Sequence, residues 1–402
     1  MVSVPTTRGA GATPLVRRSA RRGLRADIQG MRAVAVLLVI ADHAGVPGFG
    51  GGYVGVDVFF VISGYVISQL LLRETGKGLR LGLADFYARR VRRIAPAATA
   101  TLAGTVLAAG FLLGHRANPN LPGDIRWASL FAANFRLIRT GSNYFVPGVQ
   151  PSLITQFWSL AVEEQFYFVY PLLVFLAAAV AGPRHRRRVL AVALAALVGA
   201  SAWWSVHLTA VEPAVAYYSP FTRFWELGLG CLLAVVTAGR PPIRAWLGAV
   251  GSLLGAALIV ASLVVLHNGS AYPGSLAWLP CGGAALLLLG GSSGRGGGVS
   301  GLLSLAPLVY IGDLSYSLYL THYAWLNLPA DLATPLTGWG WRAVELLGTA
   351  VTAALSYHLL ENPIRRSTRL AGDRVAVALL LVACVGASWA AAAAAGHLLT
   401  GK

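Results

Sequence analysis

The sequence predicts an all-α fold, a polytopic transmembrane helix bundle of about ten or eleven spans. Of its 402 residues, 56% are hydrophobic and only 12% are charged, whereas soluble proteins average about 25% charged residues. The hydrophobic residues fall in runs separated mostly by short loops, so no polar stretch is long enough for a second soluble domain. The sequence is therefore that of an integral membrane protein.

The net charge of +17 comes mainly from arginine, and its placement indicates topology. Basic residues cluster in alternate gaps between the hydrophobic runs, at Arg17–Arg25, Arg80–Arg93, Arg184–Arg188, Arg240–Arg244 and Arg365–Arg374. This is the positive-inside pattern of cytoplasmic loops, and it argues against nucleic-acid binding. It predicts a protein of the cell membrane with a cytoplasmic N-terminus and an extracytoplasmic C-terminus.

Windows of about 19 residues define the predicted spans. They are residues 32–46, 54–72, 97–114, 156–180, 189–207, 219–237, 245–266, 276–290, 302–328, 341–360 and 375–396. Residues 1–24 are predicted to form a disordered basic tail, 25–366 the main transmembrane domain, and 367–402 an additional helix with a short tail. The long loop 115–155 is predicted to form a re-entrant or interfacial lid.

The three cysteines lie in hydrophobic runs at no motif spacing, so we predict neither a disulfide nor a zinc site. No other metal site is predicted.

Polar groups inside predicted spans are costly to bury, which makes them candidate functional residues. In the predicted topology, six spans carry such groups near their outer ends: His43, Asp57, Ser159, Glu163, Glu164, Arg223, Glu226, His322 and Glu345. Arg223 and Glu226 are three residues apart and are expected to form an ion pair. We expect folding to gather these side chains into one chamber.

A second group of polar residues is predicted on the cytoplasmic side. Arg32 lies at the cytoplasmic end of the first span. His43 is eleven residues further along, so a helix returns the two side chains to within about 20° of one face, about 16 Å apart along its axis. The run Phe86–Pro96 places Arg90 and Arg93 on one helical face. Guanidinium groups suit bidentate phosphate binding, so these arginines predict a phosphate-bearing ligand.

Each feature also has a structural interpretation. The arginines at 89–93 can act only as a topology signal, His43 can be a packed neutral histidine, and an acid at 163 or 164 can stabilise a helix start. The stripe of Tyr316, Tyr319 and Tyr323 is interpreted as helix packing or membrane-interface aromatics rather than a ligand cage.

Several of these stretches carry a family pattern. The segments RADIQGMRAVAVLLVIADHA, GGYVGVDVFFVISGYVIS, FYARRVRRIAP, FWSLAVEEQFYFVYPLL, FTRFWELGLG, IGDLSYSLYLTHYAWL and LENPIRR resemble, in this order, the acyltransferase family 3 membrane proteins. The resemblance covers the chain from about Arg25 to Arg366. It implies an acyl-CoA-dependent O-acyltransferase of bacteria. Its substrate would be a sugar hydroxyl of a cell-surface glycan such as lipopolysaccharide or exopolysaccharide, a lipid-linked saccharide or a glycosylated natural product, and the acyl group is commonly acetyl.

The resemblance also assigns residues. The Arg-x10-His, RxxR and Ser-x3-Glu motifs of the family fall on Arg32 and His43, on Arg90 and Arg93, and on Ser159 and Glu163. The three arginines are then expected to bind the phosphates of acyl-CoA.

Together with the predicted depths, the resemblance suggests a catalytic scheme. His43 would be the general base for the acceptor hydroxyl, since the ordinary pKa of histidine lies near neutrality. Asp57 or Glu163 would orient its imidazole, and Ser159 or backbone N–H groups would stabilise the oxyanion.

Two alternatives bear on partners and class. Some family members carry an extracytoplasmic SGNH esterase-like domain after the last span, and this chain ends there, which implies that such a domain is absent or supplied by a separate protein. The alternative function is a transporter or flippase for a saccharide or lipid, in which the buried charges would line a substrate or proton path. Inverted repeats would favour it, and none is visible in the sequence.

Overall fold

The computed structural model describes residues 25–74, 79–145, 152–267, 269–293, 298–328 and 338–400. The predicted tail of residues 1–24 lies outside these residues. The described chain is helical and contains no strand. The predicted all-α fold is confirmed.

The α-helices are numbered in chain order. They are α1 (Ala26–His43), α2 (Gly55–Glu74), α3 (Leu79–Leu113), α4 (Leu121–Ser129), α5 (Ala133–Arg139), α6 (Phe157–Val211), α7 (Pro213–Tyr218), α8 (Phe224–Thr237), α9 (Ala245–Val265), α10 (Trp278–Gly290), α11 (Gly298–Leu303), α12 (Ala306–Asn327), α13 (Gly338–Leu355), α14 (Asn362–Arg366), α15 (Thr368–Gly372) and α16 (Arg374–Thr400). A π-helical turn, Ser356–Glu361, joins α13 to α14. Short 3₁₀ turns occur at Gly52–Val54, Gly114–Arg116, Pro220–Thr222 and Gly291–Ser293.

Seven helical stretches of the described chain are long and apolar enough to cross a membrane. They are Gly52–Glu74, Gly82–Leu113, Phe157–Gly182, Arg184–Val211, Ala245–Val265, Gly338–Arg366 and Arg374–Leu399. The four other predicted spans also coincide with helices: α8 and α10 are apolar but shorter, whereas α1 and α12 carry more polar residues. The protein is therefore a multi-pass membrane protein.

The long helix α6 consists of two arms that meet at Gly182. This residue has φ 63° and ψ 177°, which is not helical. Glycine adopts a positive φ without the penalty that a side chain would bring. Because of this kink, the two arms of α6 correspond to the two separate spans that the sequence predicts, 156–180 and 189–207.

Helix packing brings α1 next to two of the helices that line the site described below. α1 lies between α2 and α12, and α2 and α6 both pack against α8. Their side chains form the larger apolar cluster. A smaller cluster joins α3, α4 and α16, so the predicted additional C-terminal helix packs directly on the bundle.

The loop predicted as a lid contains the two short helices α4 and α5, of nine and seven residues. Phe131, which lies between them, has a positive φ of 52°. Neither helix is long enough to span a bilayer. Their position at the membrane surface stays a prediction.

Glycines allow unusually close backbone contacts around α1. A methyl group built on Gly312 of α12 would overlap the backbone carbonyl of Gln29 on α1, and one built on Gly30 would overlap the carbonyl of Leu303. Because no side chain intervenes, the backbones of α1 and α12 determine the distance between these helices. This contact fixes the relative position of the polar residues on the two helices.

We expect the substitution Gly312→Ala to destabilise the protein by about 1 to 3 kcal/mol, because an added methyl in a close-packed contact forces a backbone shift. The thermal unfolding midpoint in detergent measures this effect. Gly104→Ala is the matched control, since Gly104 lies inside α3 with open space around its Cα. It should leave the midpoint unchanged or raise it. Equal midpoints for the two variants would contradict the proposed packing role of Gly312.

Candidate functional site

A cavity of about 350 Å³ opens between α2, α3, α6 and α12. One side is apolar, with Phe59, Phe60, Val66, Ile67 and Leu70 of α2 in its wall. Its size is that of a small-molecule site, in which an apolar lining with a few polar groups is usual. It is the main candidate site in the part of the chain that the structure describes.

The other side of the cavity is strongly basic. Six arginines line it: Arg32, Arg89, Arg90, Arg92, Arg93 and Arg365. Four of them lie on two successive turns of α3. This helix begins well before the residues that hydropathy alone marks as a span, and it therefore includes these arginines. Arg32 comes from α1 and Arg365 from α14. Such a concentration of guanidinium groups favours a ligand that carries several negative charges.

Arg90 is fixed by carboxylates of α6. Its guanidinium hydrogen-bonds Glu164 and lies 3.9 Å from Glu163 Oε1. The guanidinium carbon also lies 3.9 Å from the centroid of the Tyr167 ring, and the Tyr167 hydroxyl donates a 2.8 Å hydrogen bond to Glu163. Arg90 is therefore held rigidly with its charge largely balanced.

Arg93 is different, because no hydrogen bond or ion pair joins it to another described residue. Arg32 donates a single 3.2 Å hydrogen bond to the Gln29 side chain. Arg365 lies 3.5 Å from Glu361 Oε1, and Ser317 donates to the other oxygen of this buried carboxylate. The cavity thus contains guanidinium groups whose donors are available to an anion.

Ser159 and Tyr319 form the inner wall of the cavity. Their hydroxyl oxygens are 2.6 Å apart, and the Tyr319 hydroxyl donates a 3.1 Å hydrogen bond to the backbone carbonyl of Gln156. The Tyr319 ring also packs against His322, with ring centroids 5.5 Å apart. This pair separates the cavity from the histidine cluster that follows.

His43 lies beyond that wall and is not among the residues that line the cavity. Its Nδ1 is 2.9 Å from Nε2 of His322, and its Nε2 is 2.6 Å from the Tyr144 hydroxyl. The two imidazole rings meet edge to edge, with centroids 5.1 Å apart and an angle of 18° between the ring planes. Tyr323 presents an edge to His43 at 5.0 Å. His43 is therefore held in an aromatic and imidazole environment.

Asp57 faces a different partner. Its Oδ1 is 3.0 Å from Nη1 of Arg223, and the same nitrogen is 2.9 Å from Oε1 of Glu226. All three side chains are at most 1% exposed. Together they form a buried ion triad that joins α2 to α8. The predicted ion pair of Arg223 with Glu226 is confirmed, and the expected single chamber is instead divided into a cavity, a histidine cluster and this triad.

The structure thus gathers part of the predicted site in the cavity. Arg32, Arg90, Arg93, Ser159 and Glu163 all line it, whereas His43 and Asp57 do not. Hydrogen bonds within the described chain connect neither Asp57 nor Glu163 to His43, so the predicted orienting role of these acids finds no support in the observed contacts.

Sequence reasoning missed several residues of the site. Tyr316 and Tyr319 line the cavity, although their stripe was interpreted as packing. Arg365 lies in LENPIRR and in a basic cluster, and these patterns indicate only a family resemblance and a cytoplasmic loop. Tyr144 lies in a loop and carries no pattern that points to His43, so only the folded chain reveals it.

Comparison with known proteins supports one family. A family model described as an acyltransferase domain matches residues 25–361. A peptidoglycan O-acetyltransferase of Listeria monocytogenes is 31% identical over 353 residues, which are 85% of this chain and 56% of the relative. An O-acetyltransferase of Staphylococcus aureus is 29% identical over 360 residues, 84% of this chain and 57% of the relative. The chain therefore spans about half the length of these curated relatives. No solved structure matches it.

Proposed function

Because the chain belongs to the acyltransferase family whose model matches residues 25–361, we propose that it is a membrane O-acetyltransferase. Its donor would be acetyl-CoA, and its acceptor a hydroxyl of a cell-surface saccharide. Among the acceptors that the sequence leaves open, the names of the relatives favour peptidoglycan. In this proposal the N-terminus is cytoplasmic and the C-terminus extracytoplasmic, as the distribution of basic residues predicts.

The observation that carries the proposal is the arginine-lined cavity. Coenzyme A has phosphates at one end and a slender apolar arm that ends in a thioester. The cavity offers free guanidinium donors on one side and the phenylalanine and aliphatic side chains of α2 on the other. Arg32, Arg93 and Arg365 would bind the phosphates. Arg90 is already balanced by two acids and would contribute mainly to the shape and rigidity of the site.

The acyl group must then reach His43. The inner wall of the cavity, Ser159 with Tyr319, lies between the arginines and the histidine cluster, so this hydrogen-bonded pair has to separate when the thioester arm enters. A freed Ser159 hydroxyl would be available to the oxyanion, as the sequence predicts. The acceptor hydroxyl has to occupy the position at His43 Nε2 that Tyr144 holds in this structure.

The proposed reaction is a direct acyl transfer with His43 as general base. The acceptor oxygen forms a bond to the thioester carbon while its proton moves to His43 Nε2. The carbon–sulfur bond then breaks, and the proton passes from His43 to the departing sulfur. The products are the O-acetylated sugar and free coenzyme A.

We expect Arg93→Ala to weaken coenzyme A binding about 10- to 100-fold, since a charge-assisted hydrogen bond contributes about 1.5 to 3 kcal/mol. Titration calorimetry on the purified protein in detergent measures the affinity. A matched control is Arg374→Gln, because Arg374 lies outside the cavity in an exposed ion pair with Asp85. Its affinity should equal that of the unmodified protein.

The same preparation tests the function itself. Release of thiol from acetyl-CoA in the presence of soluble peptidoglycan fragments, with acetyl esters on the sugar product, would support the proposal. If the unmodified protein binds no coenzyme A, the assignment of acetyl-CoA as the donor is overturned. Movement of labelled saccharide across proteoliposomes without acetylation would instead favour the transporter alternative.

A further inference from the structure

We infer that His322 positions His43 by fixing its tautomer, in place of the carboxylate that usually supports a catalytic histidine. The inference rests on the proposed function in one respect, that His43 is the base. The hydrogen-bond geometry on which it stands is independent of the substrate.

The hydrogen bonds assign the protons when both rings are neutral. Nδ1 of His322 lies 2.8 Å from the backbone carbonyl of Tyr319, and a carbonyl can only accept, so this nitrogen carries the hydrogen. Nε2 of His322 must then bear the lone pair. Since it lies 2.9 Å from Nδ1 of His43, that second nitrogen is the donor. Nε2 of His43 is therefore left unprotonated and accepts from the Tyr144 hydroxyl.

The resulting tautomer is the one that a general base requires. The lone pair of His43 points to the position where the acceptor hydroxyl must bind, while the N–H is used inside the protein. Tyr144 occupies this lone pair in the structure, which shows that a hydroxyl fits there at 2.6 Å. A histidine without a partner at Nδ1 would divide its population between two tautomers, and one of them cannot take the proton.

Carboxylates do not perform this task in the described chain. Asp57 is bound to Arg223, and Glu163 to Tyr167 and Arg90, so both acids that the sequence suggested are engaged elsewhere. A neutral imidazole has a physical advantage inside a membrane protein, because it accepts the hydrogen bond without adding a buried negative charge. It also stabilises the imidazolium that forms when His43 takes the proton.

His322 is itself rigidly held. It is completely buried, and the Tyr319 ring and the hydrogen-bonded His43 ring restrict its orientation. The close backbone contact at Gly312 fixes α12 against α1, so the two histidines approach each other through well-defined helix positions. These features are those of a positioning residue, which acts on the reaction through His43.

Two substitutions separate positioning from mere packing. In His322→Gln, the amide oxygen can replace the lone pair of Nε2 and the hydrogen bond from His43 is kept. In His322→Asn, the shorter amide can keep the bond to the Tyr319 carbonyl but does not reach His43. Both variants leave a polar group of similar size in the helix, so the two substitutions should affect the stability of the fold to a similar extent.

The primary readout is the tautomer of His43, measured by nitrogen NMR on histidine-labelled protein and assigned by comparison with His43→Gln. We expect unprotonated Nε2 in the native protein and in His322→Gln, and a mixture of tautomers in His322→Asn. Turnover should fall less than about 10-fold in the Gln variant. It should fall about 10-fold or more in the Asn variant, which loses both the tautomer preference and the acceptor that stabilises the imidazolium, with coenzyme A affinity unchanged in both.

An unchanged His43 tautomer in His322→Asn would overturn the inference. Because the NMR readout needs no substrate, it decides the role of His322 even if the protein proves not to be an acetyltransferase. Conversely, a changed tautomer without any acetyl transfer by the native protein would contradict the proposed function and leave the hydrogen-bond assignment intact.

Discussion

Replacing His43 with alanine is expected to reduce acetyl transfer by about 10²- to 10⁴-fold, the usual contribution of a general base. Coenzyme A should bind to the variant as tightly as to the native protein, because His43 lies outside the arginine-lined cavity. Thiol release from acetyl-CoA and titration calorimetry measure the two quantities on one preparation. The effect therefore falls on the turnover number rather than on the affinity for the donor.

A second histidine serves as the control. His207 lies on α6 in an exposed stack with Trp203, remote from the site in its contacts. His207→Ala should retain full activity. Unchanged turnover in His43→Ala would remove the base assignment from this residue, and a parallel loss of coenzyme A binding would show that His43 acts on the donor instead.

Removal of the central cation of the buried ion triad should produce the largest loss of stability. Arg223→Met leaves the carboxylates of Asp57 and Glu226 facing each other without a counter-charge, both at most 1% exposed. Breaking a buried ion pair in this way typically costs about 3 to 5 kcal/mol. The guanidinium also packs over aromatic rings, with Tyr217 at 4.9 Å, so the loss includes packing. Equilibrium unfolding monitored by circular dichroism in detergent measures the change.

Two comparisons test the cause of that loss. The exposed pair of Arg374 and Asp85 provides the control, since breaking it with Arg374→Gln should cost about 1 kcal/mol or less. Combining Arg223→Met with Asp57→Asn and Glu226→Gln removes the unpaired charges and should restore part of the stability. If the triple variant is no more stable than Arg223→Met, uncompensated charge is not the reason.

Much of the fold follows from hydropathy, because a helix in a bilayer must satisfy its backbone internally and cover itself with apolar side chains. Each predicted span therefore coincides with a helix or with an arm of α6. Spacing along one helix was equally informative: it predicted the pairing of Arg223 with Glu226 and the common face of Arg90 and Arg93. Both observations involve residues within one or two turns of each other.

Contacts between distant helices were not predictable in the same way. Periodicity gives the face of a helix on which a residue lies, but not the helix that this face meets. Asp57 is 166 positions from Arg223, and His43 is 279 positions from His322. The sequence accordingly placed their side chains at one depth but offered Asp57 or Glu163 as the partner of His43, whereas in the structure Asp57 pairs with Arg223 and His43 with His322.

Tyr319 shows a further limit of pattern reading. An aromatic stripe at helical spacing is usually a packing surface, and Tyr323 indeed packs against His43. Tyr319, one turn earlier, instead separates the cavity from the histidines, and its hydroxyl forms a hydrogen bond with Ser159. The distinction depends on what α6 presents opposite each tyrosine, which a single sequence does not contain.

Helix α1 carries a residue of the donor cavity and the predicted base on one continuous rod. With about 1.5 Å of rise per residue, the eleven positions from Arg32 to His43 correspond to about 16 Å. If coenzyme A binds as proposed, this helix sets the distance between the residue at the phosphate end of the donor and the residue at its reactive end. Because Arg32 and His43 belong to one helix, a tilt of that helix in the membrane leaves their separation unchanged.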